Sequence, residues 1–188
     1  MNIKLLVSRL QAVPKWCGWI IVIIYSLLLS DFISTINNLI MDGIMLGNIY
    51  DIFMKLTYFV TILSGIAIWI ITMLLFHLTA LLFDGNAVFG NLLKISPYPY
   101  IIPAIAVSIA ILLLEQIDPN KISNILELQE NRNLRIALSI INWSFIFYYL
   151  LLIIQIKYLY SISWIKAFGT VIIPVVTIWG ITQLFTLT

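Results

Sequence analysis

The chain has 188 residues, of which 62% are hydrophobic and 10% charged, with a formal net charge of +2. Soluble domains are about 45–50% apolar and about 25% charged, so this composition excludes a soluble fold and makes lipid the solvent for much of the chain. The weak charge without a basic run argues against nucleic acid as a partner. One cysteine, Cys17, excludes an internal disulfide and a multi-cysteine metal site.

A spanning helix needs about 20 mostly apolar residues. Charge-free runs cover 16–30, 56–83, 95–114, 136–156 and 167–188. The first is short and meets Asp31, but "DFISTINNLIM" stays largely apolar, so a helix can continue past it. A cleaved signal peptide competes for this end, yet Ser30, Asp31 and Phe32 follow Leu29 where a small-residue cleavage site would stand. Cys17 reads as a small apolar residue at a helix end. The expected fold is all-α, a single transmembrane domain over 1–188. It is a bundle of five spans at about 16–38, 57–83, 95–114, 136–157 and 166–187.

Lysine and arginine in the connections set orientation. With the N-terminus inside, the inner segments hold Lys4, Arg9, Lys15, Lys94, Lys157 and Lys166, and the outer ones Lys55, Lys121, Arg132 and Arg135. The expectation is N-terminus inside and C-terminus outside. Residues 31–55 are expected as a short helix or loop at the membrane surface or folded back on the bundle. In 115–135, Asp118 or Asn120 is the expected turn and helix start.

The most punctuated stretch is "LLFDGNAVFGNLLKISPYPYIIP", residues 81–103. Asp84-Gly85-Asn86 signals a turn, with Gly85, or else Asn86, supplying a positive φ at the helix end. A short helix "AVFGNLLKI" then leads back into the membrane. Pro97, Pro99 and Pro103 are expected to push Ser96, Tyr98 and Ile102 towards extended or kinked backbone.

The order "HLTALLF", glycine, Phe-Gly, then "SPYPYIIP" resembles the Yip domain of Ypt/Rab-interacting membrane proteins, in its bacterial form. The matching positions run from Asp84 through Gly85 and Phe89 to Gly90, then from Pro97 and Tyr98 to Pro103. A second likeness is "ISWIKA", with Ile162, Ser163, Lys166 and Ala167, followed by Pro174; Gln155 or Ile156 replaces the family's glycine ahead of that turn. About fifteen residues precede the first span and no "DLYGP"-type motif occurs, so Rab binding is not carried over. The resemblance implies a five-span protein that binds other membrane proteins or shapes the bilayer. It implies service as an accessory to exporters, or in envelope stress or toxin resistance.

His77 is the one histidine, and Asp84 lies seven residues on, roughly on the same helix face. They read either as a proton-responsive pair or, more plainly, as a hydrogen-bonded histidine and a helix-ending aspartate. Trp16, Trp19, Trp143, Trp164, Tyr158 and Tyr160 suit interfacial belts, while Trp69 reads as packing. Gly65, Ala67, Gly169 and Gly180 suit close helix packing. No H-E-x-x-H, G-x-S-x-G or Walker-type loop occurs, so neither an enzyme nor a cofactor is expected. The expected partners are the bilayer, other integral membrane proteins such as an ABC-type exporter, and a second copy of the chain, in a bacterial cytoplasmic membrane. The docking surface is expected around Asp84, Gly85, Gly90, Pro97, Tyr98, Pro103, Ser163 and Lys166. A small transporter or channel, or a bacteriocin immunity protein, are the alternatives.

Overall fold

The computed structural model describes residues 7, 9, 10, 12–41, 47–119, 122 and 125–186. From Lys15 on, the α-helices among the described residues are α1 (Lys15–Met41), α2 (Gly47–Leu82), α3 (Phe89–Ile95), α4 (Ile101–Leu114), α5 (Ile125–Glu130), α6 (Arg132–Tyr160) and α7 (Trp164–Thr186), with a 3-10 turn at Tyr98–Tyr100 between α3 and α4. Five stretches are long and apolar enough to cross a membrane: Trp16–Leu39, Ile52–Leu82, Phe89–Leu114, Arg132–Tyr160 and Trp164–Gln183. In each, no more than 44% of the most apolar window is buried by the protein itself. The remaining apolar surface, including Ile68, Leu112, Phe147 and Trp179, needs hydrocarbon around it. The chain is a multi-pass membrane protein.

The described residues fall into two compact units. One combines residues 1–20, 68–99 and 149–188. Its core holds Trp69, Met73, Phe76 and Ala80 of α2, Leu92 and Ile95 of α3, Leu152, Ile156 and Tyr160 of α6, and Ala167 and Val171 of α7. The spacing of these residues by three, four and seven is the stripe that a helix presents to its neighbours. The other unit combines 21–67 and 100–148. Its centre is an aromatic cluster: Tyr100 lies 5.0 Å from Tyr25 and 4.6 Å from Tyr148, whose ring meets Phe145 edge-on at 5.8 Å. In the same unit Gly65 backs onto Ser26, and Ser30 Oγ donates to the Tyr58 carbonyl at 3.1 Å.

Several elements differ from expectation. Residues 31–55 do not form a separate short helix or loop. α1 runs on to Met41 and α2 starts at Gly47, leaving only 42–46, which lie outside the described residues. Phe32 and Leu39 continue the buried stripe of Val22 and Tyr25, so the helix has packing to carry it past Asp31. With 36 residues α2 is roughly 54 Å long at 1.5 Å per residue, well beyond a hydrocarbon core of about 30 Å.

The prolines shape the third span differently too. Ser96 precedes Pro97 yet is helical, at φ −62° and ψ −23°. Its N–H donates to the Leu92 carbonyl, and its hydroxyl accepts from Trp69 Nε1 at 3.2 Å. These contacts outweigh the pre-proline preference. Tyr98 opens the 3-10 turn and Ile102 is α-helical. Pro103 stands in the first turn of α4, where an amide has no partner within the helix to lose.

The chain turns at residues 115–117 after the third span, and the next α-helix, α5, begins at Ile125 rather than at Asp118. Helix α6 then starts after Asn131, whose Oδ1 accepts from the Asn133 amide at 2.9 Å. Asn120, the other expected start, lies outside the described residues, as do Lys4 and Lys121.

Candidate functional site

The end of α2 and the α6–α7 turn belong to the same unit, and their local chemistry brings them together. The apolar run of α2 ends in a Schellman motif: the Gly85 amide donates to the Ala80 carbonyl at 2.9 Å and the Asp84 amide to the Leu81 carbonyl at 3.1 Å. The left-handed residue is Asp84, at φ 65°, not Gly85 or Asn86 as expected. Aspartate is among the few residues that visit this region. Gly85 is needed for space instead. A Cβ there would lie 2.8 Å from the Ala80 carbonyl oxygen and 2.8 Å from Cδ1 of Tyr160.

Helix α6 also ends on a left-handed residue, Ser161 at φ 56°. Two residues on, Ser163 caps α7: the Lys166 amide donates to Ser163 Oγ at 3.3 Å. That cap aims the first turn of α7 so that Lys166 Nζ donates to Asp84 Oδ2 at 2.7 Å. The hydrogen bond and charge of Lys166 hold the Asp84 carboxyl below its usual titration range. Asp84 is 87% exposed, so the pair acts more as an alignment device than as a source of stability.

A second tie lies deeper. His77 Nδ1 and Tyr160 Oη are 2.6 Å apart. Tyr160 is 1% exposed, and in the tautomer that carries its proton on Nε2 the imidazole accepts at Nδ1 from the phenol. Phe89, the first residue of α3, stacks against His77 at 5.3 Å. The His77–Asp84 pair suggested by their spacing is therefore divided: His77 goes to Tyr160 and Asp84 to Lys166. Phe83 lies over Gly169 of α7, where a Cβ would meet its ring at 3.2 Å.

Of the expected docking residues, Asp84, Gly85, Ser163 and Lys166 meet in this junction, with His77 behind them. Gly90 does not join it, since a Cβ at that position meets nothing within 4 Å. Pro97 packs on Gly18, where an added Cβ would lie 2.9 Å from its ring. Tyr98 is half-buried in the 3-10 turn, and Pro103 belongs to the other unit.

Sequence reasoning missed Tyr160, which was assigned to an interfacial belt; its signal was a tyrosine at the helix stop of a chain with one histidine. It also passed over Gln155 as only a replaced glycine. This amide is 6% exposed, and its Oε1 has no hydrogen-bond partner among the described residues. Trp69 does pack, and it also donates to Ser96. Of the remaining belt residues, Tyr158 and Trp164 flank Lys157, whose ammonium lies 4.3 Å and 4.9 Å from their rings.

Around the junction stand Leu82, Val88 and Ile165, exposed by 83%, 70% and 84%. The arrangement is a pair of turns, tied by one ion pair and one part-buried hydrogen bond, that holds large apolar side chains outward. Compared with known proteins, the chain matches no family model, no curated protein and no solved structure.

Proposed function

We propose that this is a non-enzymatic, Yip-like membrane protein that works by docking on other integral membrane proteins. It serves as an accessory subunit of an exporter or of an envelope-stress or toxin-resistance system in a bacterial cytoplasmic membrane. The observation that carries this reading is the junction itself. Two turns far apart in sequence are cross-tied by Asp84–Lys166 and His77–Tyr160, and beside them Leu82, Val88 and Ile165 are more than two-thirds exposed. Apolar groups held on a fixed backbone lose little freedom when a partner covers them, which favours association. In the N-terminus-inside orientation this face meets the cytoplasm.

The test is site-specific photo-crosslinking in native membranes, with the reactive group at Val88 or Ile165 and a control at Leu112. A discrete membrane-protein adduct at the first two positions and not at the third supports docking here. Lipid adducts alone at all three positions would remove the basis of the reading.

The transporter alternative has one observation in its favour. Ser30, Ser34, Asn37, Thr57 and Thr61 line a cavity between α1 and α2 together with Ile33, Met54 and Tyr58, but its volume is about 10 Å³, near the minimum for one water. Ion flux through the reconstituted protein, abolished by Thr57→Val, would move the assignment to that class.

A further inference from the structure

The unit containing α4 and residues 132–148 of α6 carries a feature that docking at the α2 and α6 turns does not use. An open groove of about 800 Å³ lies between these helices, walled by Ile102, Ile105 and Ile109 of α4 and by Ile136, Trp143 and Phe147 of α6. Such a volume is within the roughly 300–1,000 Å³ typical of ligand clefts. At one end of the lining stand Arg132 and Arg135, with Glu130 beside them. Both arginines are exposed, and neither guanidinium forms an ion pair or side-chain hydrogen bond among the described residues. Both also lie in the first turns of α6, where the helix dipole disfavours a cation. Two arginines against one glutamate leave one uncompensated positive charge at the mouth.

Spacing on α6 turns these residues into a single stripe. Arg132, Ile136, Ser139, Trp143 and Phe147 recur at three or four residues, hence on one face, with Arg135 three residues after Arg132 and four before Ser139. From Arg132 to Phe147 this stripe rises roughly 22 Å at 1.5 Å per residue. One leaflet of hydrocarbon is roughly 15 Å deep, half of a core of about 30 Å, so the stripe has room for an acyl chain with its headgroup above. Guanidinium forks match phosphate oxygens in geometry as well as charge.

We propose that the groove binds one anionic phospholipid, its phosphate held by Arg132 and Arg135 and an acyl chain laid along α6 towards Phe147. The single negative charge of a phosphodiester equals the charge that Glu130 leaves uncompensated. A zwitterionic lipid fits the apolar walls equally well but brings a second cation to the arginines, so the site discriminates by headgroup.

The test uses the full chain reconstituted in phosphatidylcholine bilayers, with tryptophan quenching by brominated lipids. Trp143 is 66% exposed on the groove wall, and the difference between the wild type and Trp143→Phe isolates its signal from the other tryptophans. Brominated phosphatidylglycerol is expected to quench that signal at a severalfold lower mole fraction than brominated phosphatidylcholine. Arg132→Gln/Arg135→Gln is expected to abolish the preference while quenching of the other tryptophans stays unchanged, which shows that the variant is folded. Equal quenching by the two lipids in the wild type would overturn the proposal. So would an undiminished preference in the double variant. Relief of quenching by soluble glycerol phosphate would make this a free-anion site, and a Trp143 shielded from both lipids would mean that protein covers the groove; either result also defeats the proposal.

Discussion

Gly85 and Gly90 show how little a residue's identity says without its surroundings. They flank the same four residues, yet only Gly85 meets a wall, with a backbone carbonyl and the Tyr160 ring each 2.8 Å from a would-be Cβ. The carbonyl cannot turn aside as a side chain would. Gly85→Ala is expected to lower stability by about 1–3 kcal/mol through overpacking, read as a drop in the thermal midpoint of the detergent-solubilised protein. Gly90→Ala, in the first turn of α3 with open space around it, is expected to be neutral or to gain up to about 1 kcal/mol. Equal losses for both would mean that the Tyr160 contact does not form.

Asp84 supplies a pH dependence of known sign. Its carboxyl is held below the ordinary value of 3.8 by Lys166. Whatever the pair contributes is thus fully present above about pH 4 and fades as pH falls through the lowered value. Thermal midpoints of the wild type and Asp84→Asn should differ at pH 7 and converge on acidification below pH 4. A gap that widens on acidification would contradict the Lys166 pairing. The lysine and aspartate were legible as turn residues, but their pairing across 82 positions was not. The sequence spacing pointed Asp84 towards His77 because it assumed that the helix continues, and the Schellman turn rotates Asp84 away.

At the scale of elements, apolar run length located all five spanning helices, since hydrocarbon thickness imposes it. What run length could not show was how far each helix continues beyond the membrane. α1 and α2 absorb most of the segment expected at the surface, because packing on Phe32 and Leu39, among others, outweighs the cost of carrying Asp31 and two asparagines. The re-entry helix was legible from "AVFGNLLKI" between turn signals, and it forms over Phe89–Ile95. The helical state of Ser96 was not, since it depends on a tryptophan 27 residues away.

Close helix approach is also an element property. Gly65 lies against Ser26 of α1, where an added Cβ would be 3.1 Å from the serine Cβ and closer still to its hydroxyl. Gly180 of α7 has nothing within 4 Å. Gly65→Leu is expected to force α1 and α2 apart at a cost of about 1–3 kcal/mol, whereas Gly180→Leu stays within about 0.5 kcal/mol. Denaturation of the two variants in the same detergent decides it; similar behaviour would show that Gly65 has no packing role.

For the whole molecule, five crossings put the turn after α2 and the turn after α6 on the same side of the membrane, two spans apart. The Asp84–Lys166 bond requires that parity. Single cysteines at Asn86 and Ser161, in a Cys17→Ser background, are expected to label from one side of sealed vesicles and a cysteine at Glu115 from the other. With the N-terminus inside, the first two label only after the inner face is opened. Labelling of Asn86 and Ser161 from opposite sides would break the topology.

The sequence by itself determined that this is a five-span helical membrane protein, because hydrocarbon thickness and the cost of unpaired backbone polar groups leave few other solutions for such a composition. It also marked where the chain turns, through Asp84-Gly85. Only the tertiary structure decided which turns meet and which partner each polar group takes. It alone revealed that Gly85 serves Tyr160 and that two arginines stand at the head of an apolar groove. Those outcomes depend on contacts between residues far apart in the chain, and such contacts leave no periodic trace in a single sequence.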